Sequence, residues 1–117
     1  MAYDEDLANR IREALSDVRD TGEIAMFGGL CFTVGGHMAV GIVGDELMVR
    51  VGPDGYPAAL ARPHAREMTF TGRSMKGFVF IEKAGLRTQP MLSSWVDPAV
   101  EFVRTLPPKK PKKTRTH

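Results

Sequence analysis

The stretch "MFGGLCFTVGGHMAVGIVGDELMVRVG", residues 26–52, carries glycine pairs at 28–29 and 35–36 among apolar residues. Adjacent glycines can let a phosphate approach the bare backbone, or they can take the positive φ of a tight turn. The flanking residues decide between these roles. Leu30, Phe32 and Val34 alternate with Cys31 and Thr33; Met38, Val40 and Ile42 alternate again after "GGH". After "GDE", Leu47, Val49 and Val51 oppose Met48 and Arg50. This is strand period, and Gly-Gly and Gly-Asp are the dipeptides that hairpins need. The dinucleotide fingerprint GxGxxG and the P-loop GxxxxGK[ST] both require a helix immediately after the glycines. Neither spacing occurs here. The glycines turn strands, and the stretch predicts an antiparallel three-stranded meander preceded by a short strand at residues 24–27. Its buried positions include Leu30, Phe32, Val40, Leu47 and Val49.

Upstream, Leu7, Ile11, Ala14, Leu15 and Val18 recur at three- and four-residue spacing, which predicts an amphipathic helix over residues 4–19. Asp4 is placed to cap it, Glu5 and Asp6 suit the positive end of its dipole, and Thr21-Gly22 is expected to end it. Downstream, "PDGYPAALARP" (residues 53–63) predicts a turn and a short helix over 56–61. Met68 and Phe70 share a face of one strand, "TGRSMKG" (71–77) reads as a loop, and Phe78 and Phe80 share a face of a strand over 78–81. Leu92, Trp95, Val96, Ala99, Phe102, Val103 and Leu106 form the stripe of a last helix over 90–106. Pro98 interrupts it, predicting a kink or a restart with Asp97 as cap. The expected fold class is α+β: an antiparallel sheet built around the three-stranded meander, with N- and C-terminal helices packed on it and a short helix between strands. Phe27, Phe70, Phe78 and Trp95 are assigned to the core between sheet and helices. Met26, Met38, Met48, Met68 and Met75 read as core filler.

A chain of 117 residues is one domain by length. It has no run of about 18 apolar residues to span a membrane, and its acidic start, "MAYDEDLANR", is unlike a secretory signal. The single cysteine, Cys31, rules out an internal disulfide and fits a reducing cytoplasm, the expected location. Charge divides the chain in two. Residues 107–117 hold five of the 16 basic side chains and no acid, leaving residues 1–106 with 11 basic against 14 acidic side chains, a net of −3. The segment 107–117, "PPKKPKKTRTH", has nothing to bury and is expected to be a disordered basic tail behind a domain of residues 1–106.

No catalytic, cofactor or metal residues emerge. His37, His64 and His117 fall in a turn, a loop and the tail. Cys31 and His37 lie across a hairpin without a second cysteine or a close carboxylate to complete a zinc-type set. Cys31 has no basic sequence neighbour to activate it and reads as a structural thiol. Ser74, Ser93 and Ser94 sit in no GxSxG context. The expectation is a protein that is not an enzyme and takes no cofactor. Arg50, Arg66, Arg73 and Lys76, together with Arg62, are the candidate interaction surface, a basic rim for an acidic protein surface or nucleic acid. The alternative is a set of solvated charges balancing the acids. Lys109, Lys110, Lys112, Lys113 and Arg115 are a candidate for weak, sequence-independent contact with nucleic acid, or else a solubilising extension. No aromatic platform with interleaved Lys or Arg is visible along the chain. An uncovered sheet edge would favour a homodimer.

The blocks "MAYDEDLANRIREAL", "MFGGLCFTVGGHMAVGIVGDELMVRVG", "FTGRSMKGFVFI" and "WVDPAVEFVRTLPP" resemble, in order, successive blocks of the N-terminal domain of the TfoX/Sxy family. The resemblance runs from residue 3 to residue 108 and implies a compact α+β domain with helices packed on an antiparallel sheet. The best-known members promote natural competence by enhancing transcription together with the cyclic-AMP receptor protein, and carry a second, C-terminal domain that this sequence lacks. The resemblance therefore implies a stand-alone, single-domain member. Pro98 departs from the family helix, which usually runs through that position without proline. The family offers no catalytic residues to carry over. The expected function is a non-enzymatic regulatory domain acting through protein contacts in transcription. The alternatives are a nucleic-acid-associated protein tethered by its tail, and a small-molecule enzyme, which a pocket joining Arg50, Arg73 and His64 would favour.

Overall fold

The computed structural model describes residues 3–26, 28–70 and 73–107, and at residues 26, 68–70 and 73–76 only the course of the backbone. Met1, Ala2, Phe27, Thr71, Gly72 and residues 108–117 of the basic tail lie outside the described residues. The chain runs α1 (Glu5–Ala14), β1 (Thr21–Met26), β2 (Gly29–Val34), β3 (His37–Val43), β4 (Glu46–Arg50), α2 (Gly52–Leu60), β5 (Ala65–Phe70), β6 (Arg73–Ile81), a 3-10 turn (Lys83–Leu86) and α3 (Gln89–Arg104).

All pairings between the six strands are antiparallel, in the order β1-β2-β3-β4-β6-β5. The meander has four strands: the segment before Gly29 pairs with β2 along its full length, from Thr21 opposite Val34 to Met26 opposite Gly29. Gly35 and Gly36, at φ +60° and +84°, make the β2–β3 turn that only glycine enters freely. Leu30, Phe32, Val40, Leu47 and Val49 are all buried, as their alternation predicts.

Four elements differ from the sequence expectation. Helix α1 ends at Ala14, and Ser16 and Val18 then donate three residues back, to Glu13 and Leu15 carbonyls, which closes the helix in tight turns. Thr21 and Gly22 open a strand rather than end the helix, with Asp20 at φ +60° reversing the chain before them. Helix α2 starts at Gly52 because Pro53 fits a first turn, where its missing N–H costs nothing. Residues 73–77 of the expected loop belong to β6, where Ser74 and Arg73 oppose Thr69 and Phe70.

Helices cover one face of the sheet. Leu7, Ile11 and Leu15 from the α1 region and Leu92, Trp95, Val96, Ala99 and Val103 from α3 close the main core against Phe32, Val40, Ile42, Leu47, Val49, Val79 and Ile81. Asp4 caps α1 as expected, accepting from the Asp6 and Leu7 amides at 3.0 and 3.2 Å. Arg10 ties α1 to the start of α3: it donates to the Leu86 carbonyl at 2.6 Å and to Gln89 Oε1, while Gln89 Nε2 donates back to the Arg10 carbonyl.

Helix α3 runs unbroken through Pro98, with Thr88 rather than Asp97 as its cap. A proline leaves the carbonyl four residues earlier without its helical donor. That carbonyl belongs to Ser94, and Arg62 supplies the donor, from Nη1 to Ser94 O at 3.2 Å and from Nη2 to Ser94 Oγ at 2.8 Å. The same guanidinium lies 3.6 Å from the centroid of the Trp95 ring. Arg62 thus repairs the proline gap from across the helix layer.

Candidate functional site

The opposite face of the sheet carries a second, smaller apolar cluster to which no α-helix contributes a described side chain. Its buried members are Cys31, Met48 and Phe80, with Met38, Val43 and Phe78 packed half-buried around them. Strand register lines these residues up. Ile24, Cys31, Gly41, Met48, Phe80 and Arg66 oppose one another in turn, one residue from each of the six strands. Arg50 opposes Phe78 beside this row.

Two of the expected rim residues border this face, each against a different ring. Arg66 lies over the Phe80 ring, 4.9 Å from its centroid, and forms an ion pair with Glu46. Arg50, at the margin of this face, lies 5.7 Å from the Phe78 centroid and 5.8 Å from that of Phe102, which reaches it from α3, and its Nη1 faces the Met38 carbonyl. No carboxylate pairs with Arg50 among the described residues. At these distances each guanidinium is held against a ring face while its charge stays in reach of solvent. The arrangement is an aromatic-backed surface at the β4–β6–β5 end of the sheet, where Arg66 is paired with Glu46 and Arg50 carries its charge without a carboxylate among the described residues.

The remaining expectations divide. The backbone of Arg73 and Lys76 runs in β6, but their side chains lie outside the described residues, as do residues 108–117 of the tail with Lys109, Lys110, Lys112, Lys113 and Arg115. Arg62 does not join the rim, because it is spent on Ser94 and Trp95 on the helix side; burial there lowers its pKa from the ordinary guanidinium value. Phe78 belongs to this second cluster rather than to the core between sheet and helices, whereas Trp95 is placed as expected. Phe27 lies outside the described residues, and so does the Phe70 side chain. The sequence also hides the juxtaposition of arginine with aromatic side chains, since Arg50 and Phe78, and Arg66 and Phe80, become neighbours only through strand pairing.

Groups with catalytic potential stay apart. Cys31 is 2% exposed, and burial pushes its thiol above the ordinary value, away from the nucleophilic thiolate. His37 Nε2 lies 2.6 Å from the Pro107 carbonyl at the β2–β3 turn. His64, at φ +71°, lines a cavity of about 280 Å³ with Arg62, Gly85, Met91 and Trp95, and Arg50 is not part of that lining. No group of three or more His, Cys, Asp or Glu side chains able to hold a metal ion occurs among the described residues. No described helix is long and apolar enough to cross a membrane.

The family model of the TfoX N-terminal domain matches residues 13–103. The chain belongs to the TfoX N-terminal domain family. The match spans the strands, α2 and all but the last residue of α3, so it covers both sheet faces. This is not a known enzyme family. No curated protein and no solved structure gives a significant match.

Proposed function

We propose that this TfoX-type domain is a non-enzymatic, cytoplasmic regulatory module that docks an acidic protein partner of the transcription machinery on its helix-free sheet face. The observation that carries the reading is Arg50, a cation backed by aromatic rings, beside an apolar cluster, that pairs with no carboxylate among the described residues. A partner presenting carboxylates around an apolar side chain complements both features, and a charge-assisted pair there is stronger than one in open solvent. Affinity capture from the native cell with the double variant Arg50→Glu, Arg66→Glu tests it. The bound protein recovered with the parent chain should fall at least tenfold, while Arg104→Glu, at an exposed position at the end of α3, leaves it unchanged. Equal recovery with all three rejects the docking face.

The tail supports a second reading, association with nucleic acid, through its five positive charges without an acid. If all five engage phosphates, log affinity falls with log salt at a slope of about −4.5. Deleting residues 108–117 should then abolish binding to duplex DNA and leave the melting temperature unchanged. Sequence-specific binding by the truncated chain would place a reader in the body instead.

A further inference from the structure

The two edges of the sheet are treated differently. Strand β5 is protected: its pairing with β6 shifts register between Glu67 and Thr69, it carries exposed Arg66, and α2 packs beside it. Bulges, cationic side chains and covering helices are the usual means of blocking edge-to-edge pairing. Strand β1 has none of them. It pairs with β2 over six residues without a shift, and it contains no Pro, Lys or Arg. Its outward side chain Ile24 is 52% exposed, the one exposed large hydrophobic among the described residues. Its single charge, Glu23, is held from the helix side by Arg12 through paired hydrogen bonds of 2.8 Å, and this pairing lowers the Glu23 pKa and raises that of Arg12. The edge is unbroken by any bulge over six residues and electrically balanced.

We infer that β1 is the interface of a two-fold homodimer, in which two sheets join edge to edge into one antiparallel sheet. This goes beyond the docking reading and does not depend on it. Symmetry and charge fix the register. A two-fold axis normal to the sheet keeps both helix-free faces on one side, so opposed residues share a face and the axis passes through a single residue position. Two centres allow five of the six β1 residues to pair, Glu23 and Ile24. Centring on Glu23 sets two carboxylates directly opposite, which destabilises an antiparallel pair. Centring on Ile24 sets Ile24 against its own copy, Glu23 against the second copy's Ala25, and Gly22 against the second copy's Met26. The exposed Ile24 is then covered, and the row Ile24–Cys31–Gly41–Met48–Phe80 continues across the axis into its symmetry mate. One contiguous helix-free surface results, with an Arg50–Arg66 site at each end.

Sedimentation equilibrium of the full chain should give twice the 12.9 kDa chain mass. Ile24→Lys, a change at a half-exposed edge position, should restore the monomer mass with an unchanged circular dichroism spectrum. In a Cys31→Ala background, Ile24→Cys should form a covalent dimer on mild oxidation, since opposed residues of an antiparallel pair have Cα atoms about 4.5–5.5 Å apart, within disulfide reach. Glu23→Cys should not. A parent chain that stays monomeric at every concentration overturns the proposal, and so does a dimer that Ile24→Lys leaves intact. Cross-linking from position 23 rather than position 24 overturns the register, independently of how the lysine variant folds.

Discussion

Phe32→Ala is expected to lower the stability of the fold by about 3–5 kcal/mol, the range for removing a fully buried aromatic side chain. Phe32 is 1% exposed in the middle of β2, opposite Val40, where the β2–β3 register shifts. Its side chain belongs to the cluster that joins α1, α3 and the meander, so its removal takes contacts from both layers at once. The walls of the resulting cavity are strand backbone and helices fixed by other contacts, and they cannot collapse to fill it. Urea unfolding should show a lower midpoint with an unchanged slope. A midpoint equal to that of the parent would remove Phe32 from the core and with it the register of β2.

The second large effect separates two kinds of glycine. A Cβ on Gly29 would stand 1.8 Å from the Ile42 carbonyl oxygen and 3.0 Å from its carbon. Both are backbone atoms of the neighbouring strand, so Gly29→Ala must part β2 from β3 where their ladder begins. The expected loss is about 3 kcal/mol, the upper end for overpacking a fixed site. Gly35 differs: its φ is +60° and a Cβ there meets nothing within 4 Å. Gly35→Ala should cost only the left-handed conformation, about 1–2 kcal/mol, and Gly35→Asn less. Thermal unfolding of the three variants should rank Gly29→Ala as the most damaging. The reverse order would mean that the second residue of the first glycine pair is a turn residue and not a close backbone contact.

What could be read from the sequence was what neighbours along the chain determine. The meander was legible because each of its strands pairs with the next, so alternation and turn dipeptides describe the whole of it. The cap of α1 and the apolar stripes of α1 and α3 were legible for the same reason. The "TGRSMKG" segment was misread because its polar composition resembles a loop, while residues 73–77 are held in β6 by pairing with β5 and by the Val51 amide, which donates to the Gly77 carbonyl. The cap of α3 was misread: the proline at 98 pointed to a kink or a restart at Asp97, whereas Thr88 caps the helix and Arg62, distant in sequence, supplies the donor missing at Ser94. The site was half legible. Arg50 and Arg66 were named from charge and strand position, but their aromatic partners depend on the β4–β6–β5 order, in which β6 enters between β4 and β5. The pairing of Arg10 with Gln89, 79 residues apart, left no local signal at all.

The docking of a protein partner on the helix-free face is tested most directly by site-specific photo-cross-linking in the native cell. A benzophenone side chain is placed at Phe78, within the arginine-flanked cluster, or at Ala58, on the exposed side of α2. The account predicts a covalent adduct with a partner protein from position 78, lost in the Arg50→Glu background, and no adduct from position 58. An adduct from position 58 with none from position 78, or one at 78 that survives Arg50→Glu unchanged, would contradict it.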